Sequence, residues 1–488
     1  MTKLSLVTVR GLRADVVVPT YSRSALTAGI VHFGVGNFHR AHLAVYLDDL
    51  FNMGLCHDWA IIGAGVMPSD EVMRQKLAEQ DYLTTVVEQD AHVSSARVTG
   101  PMIDFIPPSE RARLMTTLVD PAIRIVSLTV TEGGYMIDPA TGEFDPQHPA
   151  MQRDAAHPDD PTSVFGLILK GLRDRKAAGV AAFTVMSCDN VPHNGVVTRN
   201  AVSGLARLID GKLADWVIDT VAFPNGMVDR ITPATSDRER TLAKDNFGID
   251  DSWPVFCEGF KQWVVEDHFP SGRPAFEKVG AQFVPDVTPF EYMKIRILNG
   301  GHAVIAYAGG LLDVHFVHEA MEHPLIAAFL DKVERDEIIP TVPPVPNTVL
   351  DDYYKLIVRR FGNPKIGDTI RRLCLDGSNR QPKFIVPVVA DRLGGERGIT
   401  GLALESALWC RYCFGTTDSG VVIEANDPNW ARLQQTAKAA KEMPEAWLAM
   451  TDIYGDVAKS PVFSAAFATA LKRVWEVGAT QAITEYLV

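Results

Sequence analysis

The alternation of strand-like and helix-like segments in the first half of the chain constrains the fold most. Such alternation is typical of a parallel β-sheet whose strands are joined by crossover helices. Strand candidates lie at 29–33, 59–66, 83–88, 93–98, 123–131, 181–186 and 216–223, the third and fourth of them as a hairpin. Helix candidates lie between them at 38–50, 72–80, 110–118, 163–178 and 195–208. The sequence therefore predicts an α/β domain with a parallel sheet.

The pattern changes near residue 286, since helical periodicity with few β-branched runs dominates from about Thr288 to the C-terminus. A proline-rich connector at 339–346 interrupts it, because helices do not continue through such a segment. A chain of 488 residues also exceeds one ordinary hydrophobic core. We therefore predict an α/β domain at 1–285 and a mostly α-helical domain at 286–488.

The composition narrows the class of protein. Hydrophobic residues make up 47% and charged residues 22% of the chain, as in soluble globular proteins. The net charge of −13 argues against nucleic acid or a membrane surface as the main partner. The N-terminal segment lacks the apolar run of a secretory signal, and no uninterrupted apolar run of about 18 residues occurs. We expect a cytoplasmic enzyme.

Two patterns that resemble metal sites do not support a metal. Cys410 and Cys413 form a C-x-x-C pair without a second pair, inside an apolar helical segment, so we expect reduced core thiols. His318 and His323 are five residues apart, which places them about 140° apart on a helix. The sequence therefore predicts no metal site.

A glycine pair marks the candidate cofactor site. Gly34 and Gly36 lie between a predicted strand and a predicted helix, with Asn37 and Phe38 at the start of that helix. Without a side chain at Gly36, a pyrophosphate could approach the backbone N–H groups at the helix N-terminus. His39 replaces the third glycine of G-x-G-x-x-G, so an ordinary strand-to-helix turn is the alternative.

Asp70 follows the second predicted strand by a few residues. A carboxylate there could accept hydrogen bonds from the adenosine ribose and would repel the extra phosphate of NADP. Asp70 therefore favours NAD as the cofactor. The alternative is a helix N-cap, because a helical pattern begins at 72.

Three polar side chains mark the candidate catalytic helix. Lys294, Asn299 and His302 are spaced by five and three residues, and at about 100° per residue they span roughly 140° of an α-helix. Burial beside the apolar segment 297–312 would lower the pKa of the lysine toward a value useful for a base. The glycines at 300–301 suggest a close approach of substrate or cofactor to the backbone. A snorkelling lysine, a capping asparagine and a core histidine are the alternative.

Two further polar positions follow strand-like segments. Asn190 comes after the candidate strand 181–186, where a parallel sheet places ligands, and its amide could donate to an alkoxide oxygen. The alternative interpretation is that Asn190 is an ordinary turn residue. Asp229 lies in a loop-like segment next to Arg230, where a structural ion pair is the alternative.

Taken together, these clusters resemble the long-chain mannitol dehydrogenase family of polyol-specific dehydrogenases. The family signature matches Val221–Pro233 throughout, and the Lys-x-x-x-x-Asn-x-x-His element matches Lys294, Asn299 and His302. The segments Thr131–Tyr135 and Ser187–Asn190 also look like family segments. The resemblance extends nearly from end to end and is more specific than any single motif.

The resemblance implies a Rossmann-type N-terminal domain, a mostly helical C-terminal domain and NAD-dependent oxidation of a hexitol without a metal. Mannitol would be converted to fructose, and sorbitol or arabinitol are further candidate substrates. By position, Lys294 would be the general base, and Asn190 and Asn299 would stabilise the developing oxyanion. We expect a small-molecule polyol or ketose as the partner of a monomer or small homo-oligomer.

The resemblance also assigns substrate-binding side chains. Asp229, His302 and Arg372 would orient substrate hydroxyls. Arg380 stands where we expect lysine in the family, a departure at a substrate-binding position. Ser69 replaces an expected glutamate before Asp70, a departure next to the residue that favours NAD.

Two other functions stay open. A hexuronate reductase of the same fold could use Arg371, Arg372, Arg380 and Lys383 to hold a carboxylate. A non-catalytic NAD-binding regulator would bind cofactor without turnover and would not need Lys294.

Overall fold

The computed structural model describes residues 2–137 and 143–488. These residues form two compact units that divide between Val287 and Thr288, two residues beyond the boundary expected from the sequence. The first unit contains the β-strands, and the second is built almost wholly from helices.

In the part of the chain that the structure describes, the central sheet of the first unit has five parallel strands in the order β7-β4-β3-β8-β9. Numbered by their sequence within this sheet, the order is 3-2-1-4-5, which is that of a Rossmann fold. The Rossmann-type expectation is thus confirmed. The strands of the unit are β1 (Thr2–Lys3), β2 (Val16–Val17), β3 (Ala28–Phe33), β4 (Ala60–Ala64), β5 (Thr84–Gln89), β6 (Ser94–Thr99), β7 (Met102–Ile106), β8 (Ile125–Leu128), β9 (Thr184–Ser187), β10 (Gly226–Asp229), β11 (Ile249–Asp250), β12 (Val255–Glu258), β13 (Gln262–Glu266) and β14 (Gln282–Val284).

Helices cover both faces of this sheet. They are α1 (Asn37–Ala41), α2 (Leu43–Asn52), α3 (Asp70–Ala78), α4 (Arg111–Val119), α5 (Pro149–Ala156), α6 (Val164–Ala178), α7 (Asn194–Ile209), α8 (Gly211–Thr220) and α9 (Asp237–Phe247). The core on one face is formed by α4, α6, α7 and α8, and the core on the other by α2 and neighbouring segments. Because both faces are covered, the central strands are apolar on both sides, as parallel strands usually are.

Some local expectations need correction. The predicted hairpin 83–88/93–98 is present as β5 and β6, but it belongs to a separate sheet of order β12-β5-β6-β2. The strand predicted at 216–223 is wrong, because most of this segment lies in helix α8. The Asp210 side chain accepts a hydrogen bond from the Lys212 backbone N–H at 3.0 Å and starts that helix, and Leu213 and Val217 pack one helical turn apart in the core.

The helices of the second unit confirm the mostly α-helical expectation. They are α10 (Thr288–Met293), α11 (Gly300–Leu311), α12 (Val317–Glu322), α13 (Pro324–Val333), α14 (Leu350–Phe361), α15 (Ile370–Leu373), α16 (Gly377–Phe384), α17 (Val386–Gly394), α18 (Thr400–Cys413), α19 (Trp430–Ala440), α20 (Glu445–Leu448), α21 (Thr451–Tyr454) and α22 (Pro461–Leu487). Segments Lys294–Asn299 and Glu334–Ile338 are π-helical.

Helix α18 forms the centre of this unit. All of its residues after Thr400 are buried, and α11, α19 and α22 pack against it. Cys410 and Cys413 lie in this core as free thiols, as expected. Among the described helices, none is both long and apolar enough to cross a membrane.

Candidate active site

The turn after β3 has the backbone of a nucleotide-binding loop. Gly34 has φ +88°, and a Cβ at this position would lie 2.0 Å from the Thr129 carbonyl oxygen, so only glycine fits. The nearest atom to a Cβ at Gly36 would be the Gly34 oxygen at 3.8 Å. The fold therefore requires Gly34, whereas the space beside Gly36 is open on the protein side, as the approach of a pyrophosphate would need.

This turn also lies at the point where ligands bind in open α/β sheets. Gly34 follows β3 and Thr129 follows β8, and these are the adjacent strands between which the strand order reverses. The residues present thus fit a dinucleotide at the carboxyl end of the sheet.

A pair of stacked imidazoles occupies the place of the missing third glycine. The rings of His39 and His32 are 3.4 Å apart and nearly parallel, and both are buried. The Nε2 atom of His32 lies 3.2 Å from the Gly34 oxygen and 2.9 Å from the Thr129 hydroxyl. Burial lowers the pKa of His32 to about 3 and that of His39 well below its ordinary value. Two neutral rings therefore support the glycine turn from within the unit.

The other predicted residues of this helix start have partners within the unit. The Asn37 amide nitrogen donates to the Pro233 carbonyl and the Thr235 hydroxyl, both at 2.9 Å, and its oxygen accepts from two further side chains. Phe38 stacks on His42 with ring centroids 4.8 Å apart. The Asn37 side chain is therefore fully used by contacts within the unit, and a contact of Asn37 with a cofactor stays a prediction.

Asp70 is the first residue of α3 and is not its N-cap. Its Oδ2 atom accepts hydrogen bonds from the backbone N–H groups of Val66 and Met67, at 2.8 and 2.9 Å. The carboxylate thus closes the loop that follows β4, a third role that the sequence did not suggest. Its contact with a ribose stays a prediction.

Asn190 is exposed just beyond the carboxyl end of β9. The preceding carboxylate, Asp189, accepts hydrogen bonds from the backbone N–H groups of Val130 and Thr131, both at 2.9 Å, and from the Tyr135 hydroxyl at 2.7 Å. Asp189 therefore ties the segment bearing Asn190 to the end of the neighbouring strand β8. The sequence analysis did not predict this function of Asp189, although Asp189 directly precedes Asn190 after the same strand.

Asp229 is the last residue of β10 and is buried. The buried Arg230 next to it forms an ion pair with the half-buried Glu88 at 2.5 Å and donates to the Ala41 and Glu258 carbonyls. Arg230 is thus taken up by structural contacts with neighbouring elements. Asp229 ends a strand of the sheet β10-β13-β14 and does not lie in a loop.

The predicted catalytic helix contains a π-helical segment where an uninterrupted α-helix was expected. Lys294 begins this segment and Asn299 ends it. In a π-helix the hydrogen bonds join residues five apart, so these two positions are brought close to one face. Since Asn299 and His302 are three apart across the start of α11, they also share a face. The π segment therefore aligns the three side chains better than the 140° arc of an α-helix.

Burial differs among these three residues: Lys294 is buried, with 7% of its surface exposed, whereas Asn299 and His302 are half-buried.

The explanation of the glycine pair at 300–301 by ligand approach is wrong at Gly301. A Cβ there would lie 2.9 Å from Oε1 of the buried Glu334 and 3.4 Å from Leu330. The neighbours of a Cβ at Gly300 would be at ordinary distances, the nearest being Ile338 at 3.5 Å. Helix packing against the π segment that contains Glu334 and Ile338 therefore fills the space at Gly301.

His302 lies among cationic side chains. Its ring stacks on Phe361 with centroids 4.2 Å apart. Burial, followed by the positive charges of Arg372, Arg360 and Arg380, holds the pKa of His302 well below its ordinary value. His302 is therefore a neutral imidazole, which can both donate and accept a hydrogen bond.

The two predicted substrate arginines are held by neighbouring elements of the second unit. Arg372 forms an ion pair with Asp368, and Arg380 donates to the Leu373 carbonyl at 3.0 Å. Arg360, a buried residue of α14, joins them around His302. Nothing in the helical pattern of α14 distinguished Arg360 from an ordinary surface arginine.

No group of three or more His, Cys, Asp or Glu side chains suited to a metal ion occurs within 2–137 and 143–488.

A Rossmann sheet with this glycine turn, and a helical unit carrying an aligned lysine, amide and imidazole, define a dinucleotide-dependent dehydrogenase. Residues 28–278 match the mannitol dehydrogenase Rossmann domain, and residues 286–475 match the mannitol dehydrogenase C-terminal domain. The chain belongs to the mannitol dehydrogenase family.

Individual relatives match over almost their whole length. The chain is 62% identical to a mannitol 2-dehydrogenase of Cereibacter sphaeroides, covering 97% of this chain and 99% of the relative. Its identity to a mannitol 2-dehydrogenase of Aspergillus clavatus is 41%, with 97% and 96% covered.

Two solved structures share the fold. The first is a ternary complex of Pseudomonas fluorescens mannitol 2-dehydrogenase with NAD and D-mannitol, which has a TM-score of 0.89, 43% identity and coverage of 100% of this chain and 99% of that one. The second is a D-sorbitol dehydrogenase in substrate-free form, with a TM-score of 0.91, 36% identity and coverage of 98% and 100%.

The two glycines of the turn should respond differently to alanine. Gly34→Ala should lower the free energy of unfolding by on the order of 2–5 kcal/mol, because its Cβ meets the Thr129 carbonyl in a strained backbone conformation. Gly36→Ala should fold normally, since Gly36 has extended backbone angles and open space, but should bind NADH about tenfold more weakly. Thermal unfolding and fluorescence titration with NADH would measure both. Unchanged NADH affinity in Gly36→Ala would contradict the proposed pyrophosphate position.

Proposed function

We propose that this protein is an NAD-dependent polyol dehydrogenase that oxidises mannitol to fructose, with sorbitol and arabinitol as further candidate substrates. The observation that carries the proposal is the 62% identity to a mannitol 2-dehydrogenase over nearly both chains. The solved relative that binds NAD and D-mannitol supports the same cofactor and substrate class.

Lys294 is the proposed general base. Lys294 is buried, and its amine is proposed to take the proton from the substrate hydroxyl. NAD, when bound, would accept the hydride from the carbon that carries this hydroxyl. Gly34, Gly36 and the N–H groups of the following helix are proposed to hold its pyrophosphate.

Asn190 and Asn299 are proposed to donate hydrogen bonds to the substrate oxygen as negative charge develops on it. A donor of this kind typically contributes about 3–4 kcal/mol to the lowering of the barrier. The proposed scheme assigns no step to a metal ion, because base and oxyanion donors are both supplied by side chains.

Asp229, His302, Arg372 and Arg380 are proposed to orient the remaining hydroxyls. A neutral His302 suits this function, since it can donate to one hydroxyl and accept from another.

The charges favour a neutral polyol over a hexuronate. Asp368 partly compensates Arg372, and Glu424 lies 3.4 Å from Arg371. The local positive charge available to a carboxylate is therefore smaller than the number of arginines suggests. The specific support for the hexuronate alternative is the cluster of Arg360, Arg372 and Arg380 around His302.

A substrate panel tests the proposal. NADH formation would be followed with mannitol, sorbitol and arabinitol, and NADH consumption with fructose and fructuronate. We expect the highest kcat/KM for mannitol and fructose, with NAD preferred over NADP and no loss of activity after treatment with a chelator. A fructuronate rate far above that with fructose would favour the hexuronate reductase, and NADH binding without any turnover would favour the regulator. Inactivation by the chelator that zinc reverses would contradict the metal-free scheme.

A further inference from the structure

A buried acid–amide pair lies beneath the helix that carries Arg380. Gln381, the residue after Arg380 in α16, points its amide nitrogen at Oε1 of Glu405 in α18, at a distance of 2.5 Å. Both side chains are buried, with exposures of 1% and 0%. The pair therefore ties α16 to the central helix of the unit at the position next to a proposed substrate arginine.

The pair has few other contacts. The nearest other donor to Glu405 is the Ser406 hydroxyl at 3.5 Å. The amide oxygen of Gln381 has no hydrogen-bond partner among the residues that the structure describes. A buried amide oxygen without a hydrogen-bond partner lowers the stability of the folded state. The presence of this pair in the core therefore suggests a function other than stability.

Glu405 lies in an environment that favours its protonated, uncharged form. Its Oε1 atom accepts the Gln381 amide N–H at 2.5 Å as the carbonyl oxygen of the acid, because an amide nitrogen cannot accept a hydrogen bond from the acid O–H. Burial raises the pKa of Glu405 to about 8. The titratable groups that face it are Tyr307 of α11 and Tyr454 of α21, and burial raises the pKa of both phenols well above the ordinary value. The pair is therefore uncharged at neutral pH.

The pair also connects to the second arginine. From the same helix, Arg380 donates to the Leu373 carbonyl at 3.0 Å and to the Arg372 carbonyl at 3.3 Å. At the start of α16, Ser378 binds Asp427 through its backbone N–H and its hydroxyl, at 2.8 and 2.7 Å. A shift of α16 would therefore move Arg380 directly and would disturb the backbone of Arg372.

We propose that Gln381 and Glu405 are positioning residues, which hold α16 against α18 so that Arg380 and Arg372 keep the places in which they bind the polyol. This inference rests on the proposed substrate-binding function of those arginines.

The test compares Glu405→Ala with Glu405→Gln in the full-length protein. Glu405→Ala leaves a cavity and an unpaired amide, so KM for mannitol should rise about tenfold while the Kd for NADH stays within about twofold. Glu405→Gln keeps the shape and the neutral state, and KM near pH 7 should stay within about twofold of the wild type. Gln381→Leu removes the amide and should raise KM for mannitol as Glu405→Ala does. It replaces Glu405→Ala in the test if that variant does not fold.

The pH dependence provides a readout that packing alone would not move. Because the pKa is raised on folding, the stabilisation from Glu405 is complete below about pH 4.5 and is lost as pH rises through about 8. In the wild type, KM for mannitol should therefore rise above about pH 8 and the melting temperature should fall. Glu405→Gln should lack this additional rise in KM, because an amide does not titrate.

Glu337→Gln is the matched control. Glu337 is another buried acid, and it accepts hydrogen bonds from the backbone N–H groups of Gly401 and Leu402 in the first turn of α18, at 2.7 and 2.9 Å. Its substitution should lower the melting temperature without changing KM for mannitol. If Glu405→Ala changed KM no more than this control, or if Glu405→Gln kept the alkaline rise, the positioning function would be wrong.

Arg380→Ala separates this inference from the proposed function. An unchanged KM for mannitol in that variant would overturn the substrate function of Arg380 and this inference with it. A raised KM there, with wild-type KM in Glu405→Ala, would overturn the positioning function alone.

Discussion

Substitution of Lys294 by alanine should lower kcat for mannitol oxidation by about 10³-fold near neutral pH, within the range that a general base contributes. The reason is that Lys294 is the proposed acceptor of the hydroxyl proton, and no other amine belongs to the aligned Lys294–Asn299–His302 set. The Kd for NADH should stay within about twofold of the wild type. Rapid mixing of enzyme, NAD and mannitol would show whether the loss lies in the chemical step.

Lys294→Arg is the control for charge. A guanidinium keeps the positive charge but does not give up a proton in proteins, so this variant should be about as inactive as alanine. Turnover near the wild-type rate in Lys294→Ala would remove the lysine from the mechanism. High activity in Lys294→Arg would show that the side chain acts through its charge.

The central sheet could be predicted because its signals are local. The apolar strand before Gly34, the second strand at 59–66 and the helix at 163–178 each carry their own periodicity and end signals. The segment 216–223 misled because a short apolar run fits a strand as well as a buried helix face. The helix is favoured by the hydrogen bond that the Asp210 side chain accepts from the Lys212 backbone N–H and by the packing of Val217 in the core. Only the packing of Val217 depends on tertiary structure.

The candidate site divides in the same way. Lys294, Asn299 and His302 could be found from their spacing, but the π-helical geometry that aligns them could not, since no residue type marks a π turn. The reason for Gly301 was also hidden, because Glu334 reaches it from a segment more than thirty residues further along the chain. Long-range contacts, such as those of Asp189 and of Arg360 around His302, need the folded structure.

Loss of the amide at Asn299 should be the second largest effect among single substitutions. Asn299→Ala should lower kcat/KM for mannitol by about 10²–10³-fold, because one donor to the developing alkoxide is removed. Asn190→Ala should have an effect of similar size if both amides serve the same oxygen. Asn379→Ala in α16 is the matched control, since its amide donates to Asp376 at 2.7 Å and the side chain is exposed.

The double variant Asn190→Ala/Asn299→Ala distinguishes a shared oxyanion site from two independent functions. Two donors to one oxygen act as a unit, so the combined loss in kcat/KM should be smaller than the product of the single losses. A combined loss in kcat/KM equal to the product of the two single losses would indicate that the amides bind different substrate oxygens. If Asn190→Ala or Asn299→Ala lowered kcat/KM no more than Asn379→Ala does, the substituted asparagine would not stabilise the transition state. The reason is that loss of an oxyanion donor lowers kcat, whereas loss of a structural amide in a folded variant does not.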